Sequence, residues 1–124
     1  MEALIIEEDF GHPKIILNKE EEFFSFEGKS MPENPKEFYS KIIEWLQEYA
    51  NNPKEHTKAI FKLSYFNTAS SKRILDVLEE FKNMQDAGNT VTIEWHYNSF
   101  DEDMKKAGLE YSDILELELQ LKEY

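Results

Sequence analysis

A chain of 124 residues with 26 acidic and 14 basic side chains carries a net charge of −12, which suits a single domain and narrows its partners. Nucleic acid and anionic membrane surfaces are both held by clustered Lys and Arg, so neither is expected as a ligand. Cysteine is absent, which excludes a disulfide framework, a thiol nucleophile and a cysteine-based metal site and is compatible with the cytoplasm.

The hydrophobic share of 40% and aromatic share of 14% point to a packed core rather than disorder. The opening "MEALIIEEDF" lacks the basic region and apolar stretch of a signal peptide. No segment approaches the roughly 18 consecutive apolar residues of a membrane span.

In chain order, "ALII" (3–6) is a candidate edge strand, and "KIILN" (14–18) and "FFSFE" (23–27) form a hairpin across "KEEE". Gly28 and Pro32 are expected to end the second of these strands. Asn34 is then a good N-cap, Pro35 suits the first helical position and Glu37 falls three residues after the cap. Phe38, Ile42, Trp45, Leu46 and Tyr49 recur at helical spacing, which predicts a helix over about 35–50. "TKAIFKLSYF" (57–66) alternates as a strand, with Ala59, Phe61, Leu63 and Tyr65 on one face and Ile60 and Phe66 on the other.

The polar junction "NTASS" (67–71) leads to a second helical stripe, Ile74, Val77, Leu78, Phe81 and Met84, closed by Gly88. "TVTIEWHY" (90–97) is a further strand. Ser99 with Glu102 resembles a capping box, opening a short helix to about Lys106 that stops near Gly108. "ILELELQL" (114–121) alternates apolar and acidic residues and is expected to be the last strand. The resulting ββαβαβαβ order predicts a single α/β domain with a mixed, mostly parallel sheet.

In such a sheet, binding groups gather in loops beyond the carboxyl ends of the parallel strands. The candidate loops are 28–34, 67–71 and 96–100, each leading into a helix N-terminus. They supply Met31, Glu33 and Asn34, then Asn67, Thr68, Ala69, Ser70 and Ser71 with nearby Arg73, and then His96, Tyr97 and Asn98. One hydroxyl or amide suffices to cap a helix. Five small or polar residues in a row exceed that need and suggest a loop that touches a partner or is modified.

Chemistry elsewhere is sparse. His12, His56 and His96 have no metal-ligand spacing. Ser70 or Ser71 with His96 would be the one conceivable nucleophile and base, and neither a G-x-S-x-G elbow nor a P-loop is present. Neither an enzyme, a metal site nor a cofactor is expected. Glu20-Glu21-Glu22 reads as a solvated turn, and Asp101-Glu102-Asp103 as a favourable helix start.

"FKLSYFNTASSKRILDVL" resembles the central segment of STAS domains, where a strand runs through an Asp-Ser-Ser-Gly turn into an amphipathic helix. Asn67 stands in the Asp place, Thr68 in that of the phosphorylated Ser, and Ser70 in that of the Gly. With Pro32-Glu33-Asn34 and Trp95-His96-Tyr97, the loop more closely resembles the SiaC-type regulatory phosphoproteins, from about Phe23 onward; Ala69 replaces a Ser of that family. The resemblance implies a STAS-like domain acting as a non-enzymatic switch. Thr68 would be phosphorylated by a Ser/Thr protein kinase and restored by a PP2C-type phosphatase. The unmodified form would bind and activate a diguanylate cyclase, raising cyclic di-GMP and promoting aggregation or biofilm growth. The alternative from the same fold is an anti-sigma-factor antagonist whose effector is an anti-sigma kinase.

Overall fold

The computed structural model describes residues 1–124. Its elements are β1 (Leu4–Ile6), β2 (Lys14–Asn18), β3 (Phe23–Ser30), α1 (Pro35–Tyr49), β4 (His56–Phe66), α2 (Thr68–Asp86), β5 (Thr90–Tyr97), α3 (Glu102–Leu115) and β6 (Leu119–Glu123). The six strands form one mixed sheet in sequence order. β1–β2 and β2–β3 pair antiparallel, while β3–β4, β4–β5 and β5–β6 pair parallel. The edge strand, the hairpin, the helix-linked strands and the α/β class with a mixed, mostly parallel sheet all match the sequence reading.

Each strand–helix–strand unit advances one position in the same direction, so right-handed crossovers put all three helices on one face. Alternation then sorts the strands. Phe24, Phe26, Ala59, Phe61, Leu63, Ile93 and Trp95 are buried under the helices. Lys58, Glu94 and His96 lie on the opposite, uncovered face, where Lys58 and His96 both pair with Glu94, at 3.1 and 2.9 Å. The His96 hydrogen bond, assisted by Lys58, holds the Glu94 carboxyl below its ordinary range. No helix is long and apolar enough to cross a membrane.

Several local expectations are corrected. Gly28 does not end β3. It takes φ +114° and the strand continues to Ser30 with a register shift, Gly28 opposite Leu63 but Lys29 opposite Tyr65. The extra residue on β4 is Ser64, a bulge that inverts the alternation beyond it. Tyr65 is consequently half-exposed, and Phe66 turns to the helix side, its ring 6.3 Å from that of Tyr111 and 6.5 Å from that of Trp95.

The cap of α3 is Asp101, whose Oδ1 accepts the Met104 N–H at 3.0 Å, rather than Ser99. Gly108 does not stop α3, which runs to Leu115 before Glu116 takes a left-handed conformation, φ 50°. The predicted strand over 114–121 is therefore a helix end, a turn and the start of β6. Met104, Gly108, Tyr111 and Leu115 form a helical stripe facing the sheet, and the Trp95 indole N–H donates to the Met104 carbonyl at 2.9 Å. That tertiary packing overrides the local alternation of "LELELQL".

Candidate functional site

Because β1 runs parallel to β3, β4, β5 and β6, all five carboxyl ends reach one edge. Thr68 stands there as the first residue of α2. Its setting differs from the one expected, since "NTASS" is no five-residue loop. Asn67 alone makes the connection, and Thr68 to Ser71 form the first helical turn. Asn67 Oδ1 accepts the Ser70 N–H at 2.9 Å, so Asn67 is the cap of α2. Its own N–H donates to the Ser30 carbonyl at 3.2 Å, which ties the turn to the end of β3.

The three hydroxyls of this turn have separate fates. Ser70 is fully buried. Its Oγ accepts from Ser30 Oγ at 3.0 Å, and Ser30 Oγ in turn lies 2.5 Å from the Tyr39 hydroxyl of α1. Ser71 Oγ is 3.0 Å from the Tyr111 hydroxyl of α3, which donates to the Ser71 carbonyl at 2.8 Å. Thr68 is exposed, and its hydroxyl has no protein partner. Two tyrosines, one from each flanking helix, thus hold the turn that presents the one free hydroxyl.

Burial pushes the Tyr39 hydroxyl up to about 12, against the lowering effect of its Ser30 bond. Burial likewise raises that of Tyr111. A raised phenol favours the neutral folded form, so its stabilisation is intact below pH 10 and is lost as pH climbs from 10 to about 12. The loss is on the order of 2–3 kcal/mol for this shift. Thermal melts across that window should therefore fall more steeply for the wild type than for Tyr39→Phe. At neutral pH Tyr39→Phe should itself cost about 1–2 kcal/mol, because it leaves the buried Ser30 hydroxyl short of a partner.

A groove between α2 and α3 opens beside Thr68, lined by Phe66, Thr68, Ser71, Leu75, Tyr111 and Ile114. Lys72 and Glu110 stand at its rim. Ala69 is exposed beside Thr68, and the half-buried Arg73 is occupied by Asp76 at 3.1 Å.

The other predicted residues divide. Asn34 caps α1 through Glu37, at 3.2 Å, with Glu33 exposed next to it. The Met31 N–H donates to the Gly11 carbonyl at 2.7 Å. Tyr97 accepts from the Tyr124 N–H at its carbonyl, 3.0 Å, and Asn98 Oδ1 accepts the Phe100 N–H at 2.9 Å. His96 departs from the group, because its side chain belongs to the uncovered sheet face with Glu94. It is separated by the sheet from Ser70 and Ser71, which belong to α2 on the helix-covered side, so a serine–histidine pair is not assembled.

Sequence reasoning missed two parts of the site. Ser30, Tyr39 and Tyr111 support the turn from three different elements, a contact set that spacing does not reveal. The β1–β2 loop, residues 7–13, joins the same edge. Counting antiparallel reversals back from β3 would have placed it there.

Comparison with known proteins bears on this arrangement. The model of the SiaC family regulatory phosphoprotein matches residues 6–124. An uncharacterized protein of Pseudomonas aeruginosa (strain UCBPP-PA14) is 27% identical over 89 residues, which are 72% of this chain and 71% of that one. The structure of SiaC of Pseudomonas aeruginosa superposes with a TM-score of 0.89 at 22% identity, covering 100% of both chains. A chain in the crystal structure of diguanylate cyclase SiaD in complex with its activator SiaC, from the same organism, gives 0.90 at 23% identity over 98% of this chain and 99% of that one. These likenesses establish the fold, and the family match over nearly the whole length establishes that the chain belongs to the SiaC family of regulatory phosphoproteins.

Proposed function

We propose that this protein is a phosphorylation-controlled protein–protein switch without catalysis of its own. In its unmodified form it binds and activates a diguanylate cyclase. A Ser/Thr protein kinase turns it off by phosphorylating Thr68, and a PP2C-type phosphatase restores it. The observation that carries this reading is the contrast within one helical turn: Ser70 and Ser71 are engaged by Ser30 and Tyr111, while the Thr68 hydroxyl is exposed and free. Family membership and the SiaD–SiaC complex of the structural neighbour support the choice of partner.

The physical setting suits a switch. A phosphate adds about −1.5 to −2 charges, and the N-terminus of α2 is electropositive, which favours an anion by roughly 0.3–1 kcal/mol. Lys72, four residues on and exposed at the groove rim, adds a cation. The modified domain therefore stays folded, and the cost of the charge falls on docking. A partner covering Thr68, Ala69 and the apolar groove has to strip water from a dianion, with Glu110 repelling it from across the groove.

Incubation with the kinase and ATP should add one phosphate by intact mass, mapped to Thr68. Thr68→Ala should abolish that addition and retain activation of the cyclase. Phosphate found on Ser70 or Ser71 in the wild type, or cyclase activation by the phosphorylated form, would overturn the assignment.

A further inference from the structure

The Thr68 turn occupies one side of the carboxyl edge, and the rest of that edge carries a second, unassigned feature. Phe10 and Phe100 are each 93% exposed, far more than any other aromatic side chain of the protein. Both sit at tips of closed turns. Asp9 and His12 exchange backbone hydrogen bonds of 3.2 and 3.1 Å around Phe10, with Gly11 at φ +97°. The positive φ supplies the third position of a tight turn, which a side chain would strain. Around Phe100, the Asp101 N–H donates to the Asn98 carbonyl at 2.9 Å and the Phe100 N–H to Asn98 Oδ1, also at 2.9 Å.

Neither turn is loose. The Gly11 carbonyl takes the Met31 N–H, His12 stacks on Phe38 with ring centroids 5.1 Å apart, and the Ser99 N–H donates to the Tyr124 carbonyl at 2.8 Å. Two large apolar side chains are thus held out in water on fixed backbones. Such a ring exposes its apolar surface at a standing cost that a partner pocket relieves, and fixed backbones lower the entropy lost on docking.

The surroundings restrict what the partner is. Glu7, Glu8 and Asp9 precede Phe10, and Asp101, Glu102 and Asp103 follow Phe100. The two turns are linked across the end of β4. Ser64 lines one hollow with Phe10, Lys29 and Met31, and a second with Asp101, Asp103 and Met104. Phe66 and Ala107 line both the second hollow and the groove beside Thr68.

We infer that Phe10 and Phe100 are paired aromatic anchors, continuous with the Thr68 groove, for a protein partner whose receiving pockets are apolar and rimmed by Lys and Arg. A second copy of the chain is disfavoured, since each anchor would bring its carboxylates against an equally acidic molecule of net charge −12. An anionic bilayer or a nucleic acid is excluded by the same sign. The inference rests on the proposed function in one respect: the partner that fills both the anchors and the groove is the cyclase.

The test uses the full chain and purified full-length diguanylate cyclase from the same organism, with affinity measured by calorimetry. Phe10→Ala and Phe100→Ala should each weaken binding at least tenfold, and the double variant further, with melting temperatures unchanged because both rings are exposed. Wild-type affinity should also fall as salt rises from about 50 to about 500 mM, because screening weakens carboxylate contacts to a basic rim. Wild-type binding that both alanine variants match within twofold overturns the anchors and leaves the switch intact. Absence of wild-type binding overturns the switch, and the anchors as its cyclase contacts with it. Salt-independent binding overturns the basic rim. A concentration-dependent dimer that either alanine substitution abolishes assigns the anchors to self-association instead.

Discussion

Thr68→Glu, or phosphorylation of Thr68, is expected to weaken cyclase binding several-hundred-fold with no loss of thermal stability. The two halves of this expectation have different physical origins. In the free protein the added charge sits at the first position of α2, exposed, near unsatisfied helix N–H groups and four residues before Lys72. An anion there is neutral or favourable by about 0.3–1 kcal/mol, so the melting temperature should hold or rise slightly. In the proposed complex the same charge would lie at the mouth of a groove lined by Phe66, Leu75 and Ile114. Burying it without a dedicated cation costs several kcal/mol. A net penalty of roughly 3–4 kcal/mol corresponds to a several-hundred-fold change in affinity. Calorimetric titration alongside thermal melts separates the two halves. Equal affinity of Thr68→Glu and wild type would end the blocking model, whereas a large drop in melting temperature would mean that the variant acts by unfolding.

Gly108→Ala offers the second large effect, and here the sign is the test. Within a helix, Ala in place of Gly ordinarily stabilises by about 1 kcal/mol. At Gly108 a Cβ would meet the Trp95 ring at 2.5 Å from Cδ1 and 2.8 Å from Nε1. The ring has nowhere to go. It is 1% exposed, lies 5.8 Å from Phe61 and 5.5 Å from Tyr111 between ring centroids, and is tethered to the Met104 carbonyl. Overpacking of this kind costs typically 1–3 kcal/mol, with the tether at risk as well. Denaturant unfolding should show Gly108→Ala less stable than wild type by up to about 2 kcal/mol once the propensity gain is subtracted. A more stable variant would show that α3 can slide away from Trp95. Because Tyr111 belongs to the same helix and holds Ser71, such sliding would also loosen the turn that presents Thr68.

Gly108 shows why part of the fold was illegible in the sequence. A glycine between Ala107 and Leu109 reads as a helix stop, and the leucine–glutamate alternation after it reads as a strand. The decisive fact is a close approach of backbone to an indole from β5, which only the folded chain reveals. The same holds for Tyr65 and Phe66. Strict alternation put Tyr65 inside and Phe66 outside, and a one-residue bulge at Ser64, opposite the shift at Gly28, reversed both. By contrast α1 was legible in full, because its cap, its Pro35 start and its apolar stripe are local and agree with one another.

The candidate site divides along the same line. Local chemistry identified a strand-to-helix junction within 67–71, the carboxyl edge and, through the family resemblance, Thr68 as the residue of interest. These follow from short-range preferences and from strand order, both written along the chain. Only the tertiary structure distinguished the three hydroxyls of that turn, burying Ser70 against Ser30, engaging Ser71 with Tyr111 and leaving Thr68 free. It also brought Phe10 to the same edge and carried His96 away to the uncovered face. The fates of the hydroxyls depend on contacts between residues about 40 positions apart, and that of His96 on which face of β5 the helices leave uncovered. Periodicity reports which residues share a face of one element; it carries no information about which faces meet.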